Sequence, residues 1–187
     1  MTENGFEISE DGIITEYTGT KTDVVILQEI CGIAVRAIDK GAFYEKKLIR
    51  VIFPESITEI GEWAFCNNQL VQVVIPEGVK KISDFAFMDN QLVAISIPDS
   101  VTQIGNFAFN INQLTAIIIP ESVTKIDREA FMNNQLNSIT IYGKISLPRK
   151  SKWVGPAFDN GFDDFYKNNE KKSGTYLFNG TNWGYKR

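Results

Sequence analysis

The residues of this chain that could do chemistry are few, and their types exclude the commonest catalytic systems. The sequence contains two cysteines, Cys31 and Cys66, and no histidine. Without histidine, Ser/His/Asp and Cys/His nucleophiles cannot form, and the usual imidazole metal ligands are missing. Two thiols provide neither a disulfide-rich scaffold nor the four ligands of a structural zinc site. We therefore predict no catalytic residues, no metal site and no cofactor; an enzyme built on paired carboxylates is the remaining catalytic alternative.

The acidic residues include one regular column, in which each acid directly follows a proline: Glu55, Glu77, Asp99 and Glu121. Like charges stacked about 5 Å apart repel modestly in water, so a cation or a basic partner would relieve the repulsion. Alternatively, these acids are solvated turn residues whose charge is balanced by the neighbouring Lys80, Lys81 and Lys125. In both interpretations the column forms a ladder along an edge, and its acids do not converge in a pocket.

Two further groups have a chemical and a structural interpretation. The sequence DNGFDD at 159–164 is faintly similar to a calcium loop. It lacks the ligand spacing and the terminal glutamate of an EF-hand, so we predict a turn followed by a helix cap. Cys31 falls in the column of Ile75 at the repeat spacing given below, and Cys66 falls in the column of Met88. We predict that both thiols are buried structural residues with no basic neighbour to lower their pKa.

The elements that position these residues are copies of one repeat with a period of 22 residues, and Leu70–Gln91 is the most regular copy. The recurring positions are leucine at 48, 70, 92, 114 and 136, proline at 54, 76, 98 and 120, Ala-Phe at 42–43, 64–65, 86–87, 108–109 and 130–131, and asparagine at 68, 90, 112 and 134. Self-similarity at a fixed short period indicates a solenoid, in which each copy packs only on its neighbours.

Within one copy, the residue types predict a strand, a turn and a side chain that fills the core. The alternation over 72–75 is typical of a strand whose odd-numbered residues face inward. Pro76 ends this strand because proline has no N–H to donate. Ile82 points inward again, and Ala86-Phe87 is predicted to form one helical turn that fills the core. The stacked asparagines offer donors and acceptors to loop backbone groups that would otherwise be buried without partners.

Both ends of the array depart from the repeat. Residues 6–26 contain short β-branched runs between turn signals, so we predict two or three strands that close one end. Residues 144–152 are basic and contain Pro148, which predicts a loop or linker. Beyond it, Ala157-Phe158 matches a sixth Ala-Phe pair displaced by five residues.

The last part of the chain is rich in aromatic residues: Trp153, Phe158, Phe162, Phe165, Tyr166, Tyr176, Phe178, Trp183 and Tyr185. We predict a short helix over 162–169 and a hairpin over 174–185 that turns at Asn179-Gly180, a strong two-residue hairpin signal. A solenoid end needs large apolar side chains to cover it, so we interpret this segment as a C-terminal cap. The alternative is a ligand-binding module, since exposed Trp and Tyr are favoured contact residues.

The pattern L-x-x-I-x-I-P-x-x-V-x-x-I-x-x-x-A-F-x-x-N, over about residues 24–141, resembles the BspA-like leucine-rich repeat of bacterial surface proteins. The repeat here has 22 residues, where 23 is commoner in that family. The resemblance implies an α/β-type leucine-rich repeat solenoid, a right-handed coil with a parallel β-sheet on its concave face. It also implies adhesion or protein binding, at the cell surface or after secretion.

On that concave face, two columns of outward side chains are the best candidate for a binding surface: Arg50, Gln72, Ala94, Ala116, Ser138 and Ile52, Val74, Ser96, Ile118, Thr140. Solenoids usually bind through this surface, and exposed apolar strips can mark protein contacts. The alternative is that β-branched residues simply suit strands. The lack of aromatic residues in these columns argues against tight sugar binding.

Composition and charge limit the partner and the compartment. A net charge of −4 argues against nucleic acid, and no apolar run is long enough for membrane insertion. The start, MTENGFEISEDG, lacks the features of a secretory signal. We predict an N-terminal β cap at 1–23, a solenoid of about five repeats at 24–141 and a capping segment at 142–187. The predicted function is that of a monomeric, non-catalytic module that binds or adheres to a protein partner. A structural spacer without a dedicated ligand is the alternative.

Overall fold

The computed structural model, which describes residues 1–148 and 155–186, confirms a solenoid of stacked coils with parallel strands. Its elements are β1 (Thr2–Glu3), β2 (Phe6–Ile8), β3 (Ile13–Tyr17), β4 (Asp23–Val25), β5 (Glu29–Ile30), β6 (Ile33–Ala34), β7 (Ala37–Ile38), β8 (Arg50–Ile52), β9 (Glu59–Ile60), β10 (Gln72–Val74), β11 (Lys81–Ile82), β12 (Ala94–Ser96), β13 (Gln103–Ile104), β14 (Ala116–Ile119), β15 (Lys125–Ile126), β16 (Ser138–Ile141), α1 (Phe162–Asn168), β17 (Gly174–Phe178) and β18 (Trp183–Lys186). No helix in the described part of the chain is long and apolar enough to cross a membrane.

The predicted strand column forms one row of parallel strands: β4, β8, β10, β12, β14 and β16. Parallel pairs join β4 to β8, β10 to β12 and β14 to β16. The predicted inward residues Val73, Ile117 and Ile139 are buried, and Ile95 is partly buried against the core. Side chains on either side of them are exposed or half-buried, as strand alternation requires.

A second ladder runs along the other side of each coil, and the sequence analysis did not predict it. Strands β7, β9, β11, β13 and β15 have two residues each and pair in parallel, one coil to the next. Ile82 is buried as predicted, but it lies in one of these strands. Two residues are too few for alternation to be recognised in a sequence.

The Ala-Phe segment is not helical, which corrects the prediction of one helical turn at Ala86-Phe87. The residue before the alanine has a φ between 55° and 60° in four successive coils, at Trp63, Phe85, Phe107 and Glu129. That left-handed backbone is incompatible with a right-handed helical turn. The turn instead forms hydrogen bonds between coils: the Phe87 N–H donates to the Ala108 carbonyl at 2.9 Å.

The phenylalanines of these turns stack along the core of the solenoid: Phe43, Phe65, Phe87, Phe109, Phe131 and Phe158. Neighbouring ring centroids lie between 4.8 and 5.6 Å apart. Phe158 lies 5.0 Å from Phe131, which confirms Ala157-Phe158 as a sixth, displaced copy. The stack therefore continues from the repeats into the C-terminal segment.

The asparagine column bridges consecutive coils, as predicted. Asn90 is buried, and its Oδ1 accepts a hydrogen bond from the Leu70 N–H at 3.0 Å. Its Nδ2 donates to the Phe65 carbonyl at 2.9 Å and to the Phe87 carbonyl at 3.2 Å. Asn68, Asn112 and Asn134 make equivalent hydrogen bonds. One side chain per coil thus satisfies backbone groups of two coils.

The first coil is longer than the others, and this corrects the position of Cys31. Val24 pairs with Val51, 27 positions later, whereas Val73 pairs with Ile95, 22 positions later. The extra residues form the hairpin β5–β6, and Cys31 lies in its turn, half-buried, with a φ of 53°. The prediction counted back from Ile75 in steps of 22 residues, and it therefore placed Cys31 in the wrong column.

The N-terminal strands cap one end, as predicted. Strands β1, β2 and β3 form an antiparallel meander, and β3 joins the second ladder by pairing in parallel with β7. Its Tyr17 ring stacks on Phe43 at 5.4 Å, at one end of the phenylalanine stack. The meander thus covers the strand edges and the apolar face of the first coil.

The C-terminal segment contains the predicted helix and hairpin, with two differences. Strands β17 and β18 are joined by four residues, because Phe178 pairs with Trp183 and the Asn179 Oδ1 accepts from the Thr181 and Asn182 N–H groups. The two-residue turn at Asn179-Gly180 was therefore wrong. Strand β17 also pairs antiparallel with β16, so the hairpin extends the first row of strands. Part of the predicted loop at 144–152, and Trp153, lie outside the described residues.

Candidate functional site

The ten predicted binding residues lie on the solvent side of the first row of strands, which we call the sheet face. Arg50, Ile52, Gln72, Val74, Ala94, Ser96, Ala116 and Ile118 are exposed, and Ser138 and Thr140 are half-buried. Val74 and Ile118 have 60% and 57% of their surfaces exposed, which is high for β-branched residues in strands. The structure thus brings these residues onto one surface, and their role in binding stays a prediction.

The apolar part of this surface is larger than the predicted strip. Val25 pairs with Ile52 across the first two strands and is itself half exposed. Three more apolar residues are exposed just before the strands, at Ile49, Val71 and Val93. These positions recur every 22 residues, and that spacing could have identified them in the sequence.

A shallow depression lies between the second and third strands of the row, β8 and β10. Its volume is 440 Å³, and its lining includes Arg50, Ile52, Gln72, Val74, Glu55 and Glu77. Two apolar side chains therefore lie beside two carboxylates of the acidic column. Arg50 is already paired with Asp23 at 3.5 Å, and both side chains are well exposed.

The C-terminal hairpin completes one end of the sheet face. Thr175 and Leu177 pair with Thr140 and Ser138. The hydroxyls of Thr140 and Thr175 are hydrogen-bonded at 3.0 Å. Leu177 is 45% exposed and adds an apolar side chain to the surface. Two residues of the cap therefore belong to the candidate site, which the sequence analysis did not predict.

The acidic column is exposed, and the basic residues named as its neighbours do not pair with it. Glu55, Glu77, Asp99 and Glu121 have no ion pair among residues 1–148 and 155–186. Lys125 pairs with Asp127 at 2.8 Å instead. No group of three possible ligands among the described residues could hold a metal ion. The column therefore provides an acidic border along the sheet face.

The carboxylates of Asp159 and Asp163 accept hydrogen bonds from the backbone of neighbouring turns. The predicted turn before α1 is present, but the predicted helix cap was wrong, because the N-cap residue is Gly161 and no side chain caps α1. Asp163 is fully buried and accepts hydrogen bonds from the Ala157 and Phe158 N–H groups at 2.8 and 3.1 Å. Burial raises the pKa of the Asp163 carboxyl. Asp159 Oδ2 accepts from the Asn134 N–H at 3.1 Å, and burial raises its pKa as well. Both acids thereby fix the displaced sixth turn to its neighbours.

Cys66 is buried, as predicted, and its environment disfavours the thiolate. Burial, together with the charges of Asp89 and Glu45, raises the pKa of the Cys66 thiol to about 11. A thiol of that pKa is a poor nucleophile at neutral pH. Cys66 is therefore a core residue of its turn.

A second, external row of aromatic rings was missed in the sequence. Trp63 stacks on Phe85 with centroids 4.0 Å apart, and Phe85 stacks on Phe107 at 5.0 Å. The guanidinium of Arg128 covers Phe107, with its Cζ 4.8 Å from the ring centroid. These rings are half-buried. The signal was present as an aromatic residue directly before three successive Ala-Phe pairs, at 63, 85 and 107.

The comparisons with known proteins agree with this geometry. The sequence model of a family described as "BspA type Leucine rich repeat region" matches residues 36–151 in six copies. No curated protein sequence gives a significant match to this chain. The family match covers most of the repeat array and ends before the displaced sixth turn at 157–158.

Two solved structures of bacterial leucine-rich repeat proteins have the same fold. The T. pallidum leucine-rich repeat protein TpLRR is 31% identical, with a TM-score of 0.62 over 72% of this chain and 66% of its own. A leucine-rich repeat protein from Bacteroides ovatus is 26% identical, with a TM-score of 0.57 over 74% of this chain and 38% of its own. A leucine-rich cell surface protein from Faecalibacterium prausnitzii is 25% identical, with a TM-score of 0.46 over 83% of this chain and 59% of its own. The chain spans less than two thirds of the length of each of these proteins.

Proposed function

This chain belongs to the BspA-type leucine-rich repeat family, and from that premise we propose that it is a non-catalytic module that binds a protein partner through its sheet face. The observation that carries the proposal is the apolar surface formed by Ile52, Val74 and Ile118, with Val25 at one end. Exposed apolar side chains that cluster on one surface are typical of protein contacts.

The frame beneath this surface supports binding without large rearrangement. An inward residue at or directly after the end of each strand belongs to the common hydrophobic core, and the asparagine column joins the coils. Side chains held on a rigid sheet lose little conformational entropy on binding. The surface is therefore pre-organised for its partner.

The charge around the apolar residues indicates the chemistry of the partner. Glu55 and Glu77 border the depression that Ile52 and Val74 line. A partner that inserts apolar side chains there gains from basic residues at its rim, because opposite charges speed association and fix orientation. We expect a protein surface with an apolar centre and lysine or arginine at one border.

The family relationship supports a place at the bacterial surface or outside the cell. BspA-type leucine-rich repeats are characteristic of bacterial surface proteins. In such a protein the sheet face would contact partners outside the cell. Adhesion is one form of such binding. The alternative is a spacer role without a dedicated partner, and it predicts that substitutions on the sheet face abolish no binding.

Substitution on the sheet face tests the proposal. Replacing Val74 and Ile118 together with glutamate should weaken partner capture at least about tenfold, because each buried contact of an interface centre contributes about 1 kcal/mol or more. Both side chains are exposed, so the thermal unfolding temperature should stay close to that of the parent chain. Capture is measured in a protein extract of the source organism with a photo-cross-linker at position 94, an exposed sheet-face position that the double variant leaves unchanged.

Ile111→Glu is the matched control. Ile111 is 41% exposed, lies outside the sheet face, and occupies a column in which Glu45 shows that glutamate fits. This variant should retain capture. If the double variant captures the same partner as the parent chain, the sheet face is not the binding site. If no cross-linked protein forms with any variant, the spacer role is supported instead.

A further inference from the structure

The external aromatic row stops one coil short of the N-terminal end, at a glycine. Gly41 occupies the column of Trp63, Phe85 and Phe107, because each donates its N–H to the carbonyl of the residue 21 positions later, such as Glu62 for Gly41. Its φ of 65° is close to the 55–60° of the other members. Gly41 thus has the backbone of this column without its ring.

The missing ring leaves an open slot beside Trp63. The slot has a volume of 430 Å³ and is lined by Lys40, Gly41, Tyr44 and Trp63. Phe85 covers one face of the Trp63 indole at 4.0 Å, and the Tyr44 ring stands 6.5 Å away at 77° to the indole. A Cβ at position 41 would find only the Tyr44 Cβ within 4 Å, at 3.9 Å. The space is therefore open to a planar group that stacks on the indole.

The charges around the slot favour a cationic guest. Glu62 lies beside it and pairs with Lys40 at 3.3 Å, and Glu45 lies beside the Tyr44 hydroxyl. Tryptophan is the best side chain for cation–π contacts, and a guanidinium is both planar and weakly hydrated. The chain uses this contact itself, since the Arg128 guanidinium closes the other end of the same row.

We propose that the slot beside Trp63 binds an arginine side chain presented by a partner peptide or protein. The guanidinium stacks on the open face of the indole, with the Tyr44 ring as a side wall. Its N–H groups donate to the Glu62 carboxylate, in competition with Lys40. This site uses the turn that precedes each Ala-Phe pair, so it is independent of the sheet face and of its partner.

Three short peptides separate charge from planarity as the cause of binding. Capped Gly-Arg-Gly, Gly-citrulline-Gly and Gly-Lys-Gly are titrated while the Trp63 indole N–H is followed by NMR, with Trp63→Phe used to assign the signal. Citrulline is planar and neutral, and lysine is charged but not planar. The arginine peptide should bind at least about threefold more tightly than the other two, since it alone combines both properties.

Two variants give opposite expectations at the same site. Gly41→Phe fills the slot with the ring that the column otherwise carries, so the shift of the Trp63 indole signal on adding the arginine peptide should disappear. Lys40→Ala removes the competing cation, and the arginine peptide should then bind about two- to fivefold more tightly. Neither residue is a core residue, so both variants should fold.

Several results would contradict the arginine site beside Trp63. Equal shifts with all three peptides, or no shift with any of them, would exclude an arginine site. A shift that persists in Gly41→Phe would place the binding elsewhere. Tighter binding of a Gly-Phe-Gly peptide than of Gly-Arg-Gly would assign the slot to an aromatic guest, and self-association of the chain that Gly41→Phe removes would assign it to a second copy.

Discussion

Two backbone positions in every regular coil are left-handed, and they restrict which side chains the repeat accepts. One precedes the Ala-Phe pair, and the other follows it by two residues. In the second column φ lies between 54° and 57° at Glu45, Asn67, Asp89, Ile111 and Asn133. Asparagine and aspartate tolerate this conformation, whereas a β-branched side chain does not. Ile111 is therefore the strained member of the column.

Replacing Ile111 with asparagine should raise the free energy of unfolding by about 1 kcal/mol, since a left-handed conformation costs about 1–2 kcal/mol in a residue other than glycine or asparagine. Asn67 and Asn133 already show asparagine in this column. Urea denaturation measures the change. Val93→Asn is the control, because Val93 is exposed to a similar extent, 48% against 41%. Equal effects of the two variants would show that exposure, and not backbone strain, is responsible.

At the residue scale, hydrogen-bonding capacity was predictable and backbone conformation was not. Asn90 has both a donor and an acceptor and recurs in four of the five copies, so its bridging role followed from chemistry. The left-handed columns hold Gly, Trp, Phe and Glu in one case and Glu, Asn, Asp and Ile in the other. Such mixed types give no signal for a positive φ, because the signal is normally glycine or asparagine.

At the scale of elements, the C-terminal hairpin matters because it covers an edge. Strand β16 is the last strand of its row, and β17 pairs with four of its residues. Tyr176 of the same strand is fully buried among the aromatic rings of the cap. The hairpin thus combines edge protection with core packing. An uncovered strand of this kind is a template for pairing with another chain.

Removing residues 170–187 should therefore increase self-association through β16. We expect a larger sedimentation coefficient at high protein concentration than for the parent chain. Tyr176→Ala is the control: it removes a buried ring and should lower the free energy of unfolding by about 3–5 kcal/mol, but it leaves the edge paired. If Tyr176→Ala associates as strongly as the truncated chain, general loss of stability explains the association, and the edge does not.

Elements were predictable where their own residues carry the pattern. Strand β10, helix α1 and the β17–β18 hairpin all follow from local periodicity or turn residues. The pairing of β17 with β16 was not predictable, because more than 30 residues, which include helix α1, separate the two strands in the sequence. The hairpin β5–β6 likewise breaks the register of the first coil without changing its composition.

At the scale of the whole molecule, each coil packs only on its neighbours. The coils that a core substitution destabilises should therefore depend on where in the stack the substituted residue lies. Phe87→Leu removes a ring that stacks on both Phe65 and Phe109. Phe158→Leu removes a ring that stacks on Phe131 of one repeat coil. On its other side this ring contacts Phe162 of the C-terminal cap. Each variant should cost about 1–2 kcal/mol in the free energy of unfolding.

Hydrogen exchange followed by mass spectrometry distinguishes the two variants. Phe87→Leu should raise exchange in the coils on both sides, including the N–H groups of Phe65 and Phe109. Phe158→Leu should raise it from about residue 131 onward and leave the first coils unchanged. Identical exchange patterns for the two variants would mean that the solenoid opens only as one unit.

The solenoid architecture was predictable because the same core positions recur five times at a period of 22 residues. The sheet face followed from alternation, and its exposed residues lie where the pattern indicated. The identity of a partner did not follow, because Ile52, Val74 and Ile118 are acceptable strand residues whether or not anything binds them. The external aromatic row escaped notice because Trp63 and Phe85 precede a buried Ala-Phe pair and differ in type.

Both rows of strands advance by the same number of positions per coil. Gln72 pairs with Ala94 in the first row, and Lys81 pairs with Gln103 in the second, each 22 positions later. A gene duplication of one such unit would lengthen both rows by one strand spacing, about 4.8 Å, and leave both caps in place. The length of the sheet face can therefore change in evolution in discrete steps. One additional repeat would extend the sheet face to contact a larger partner.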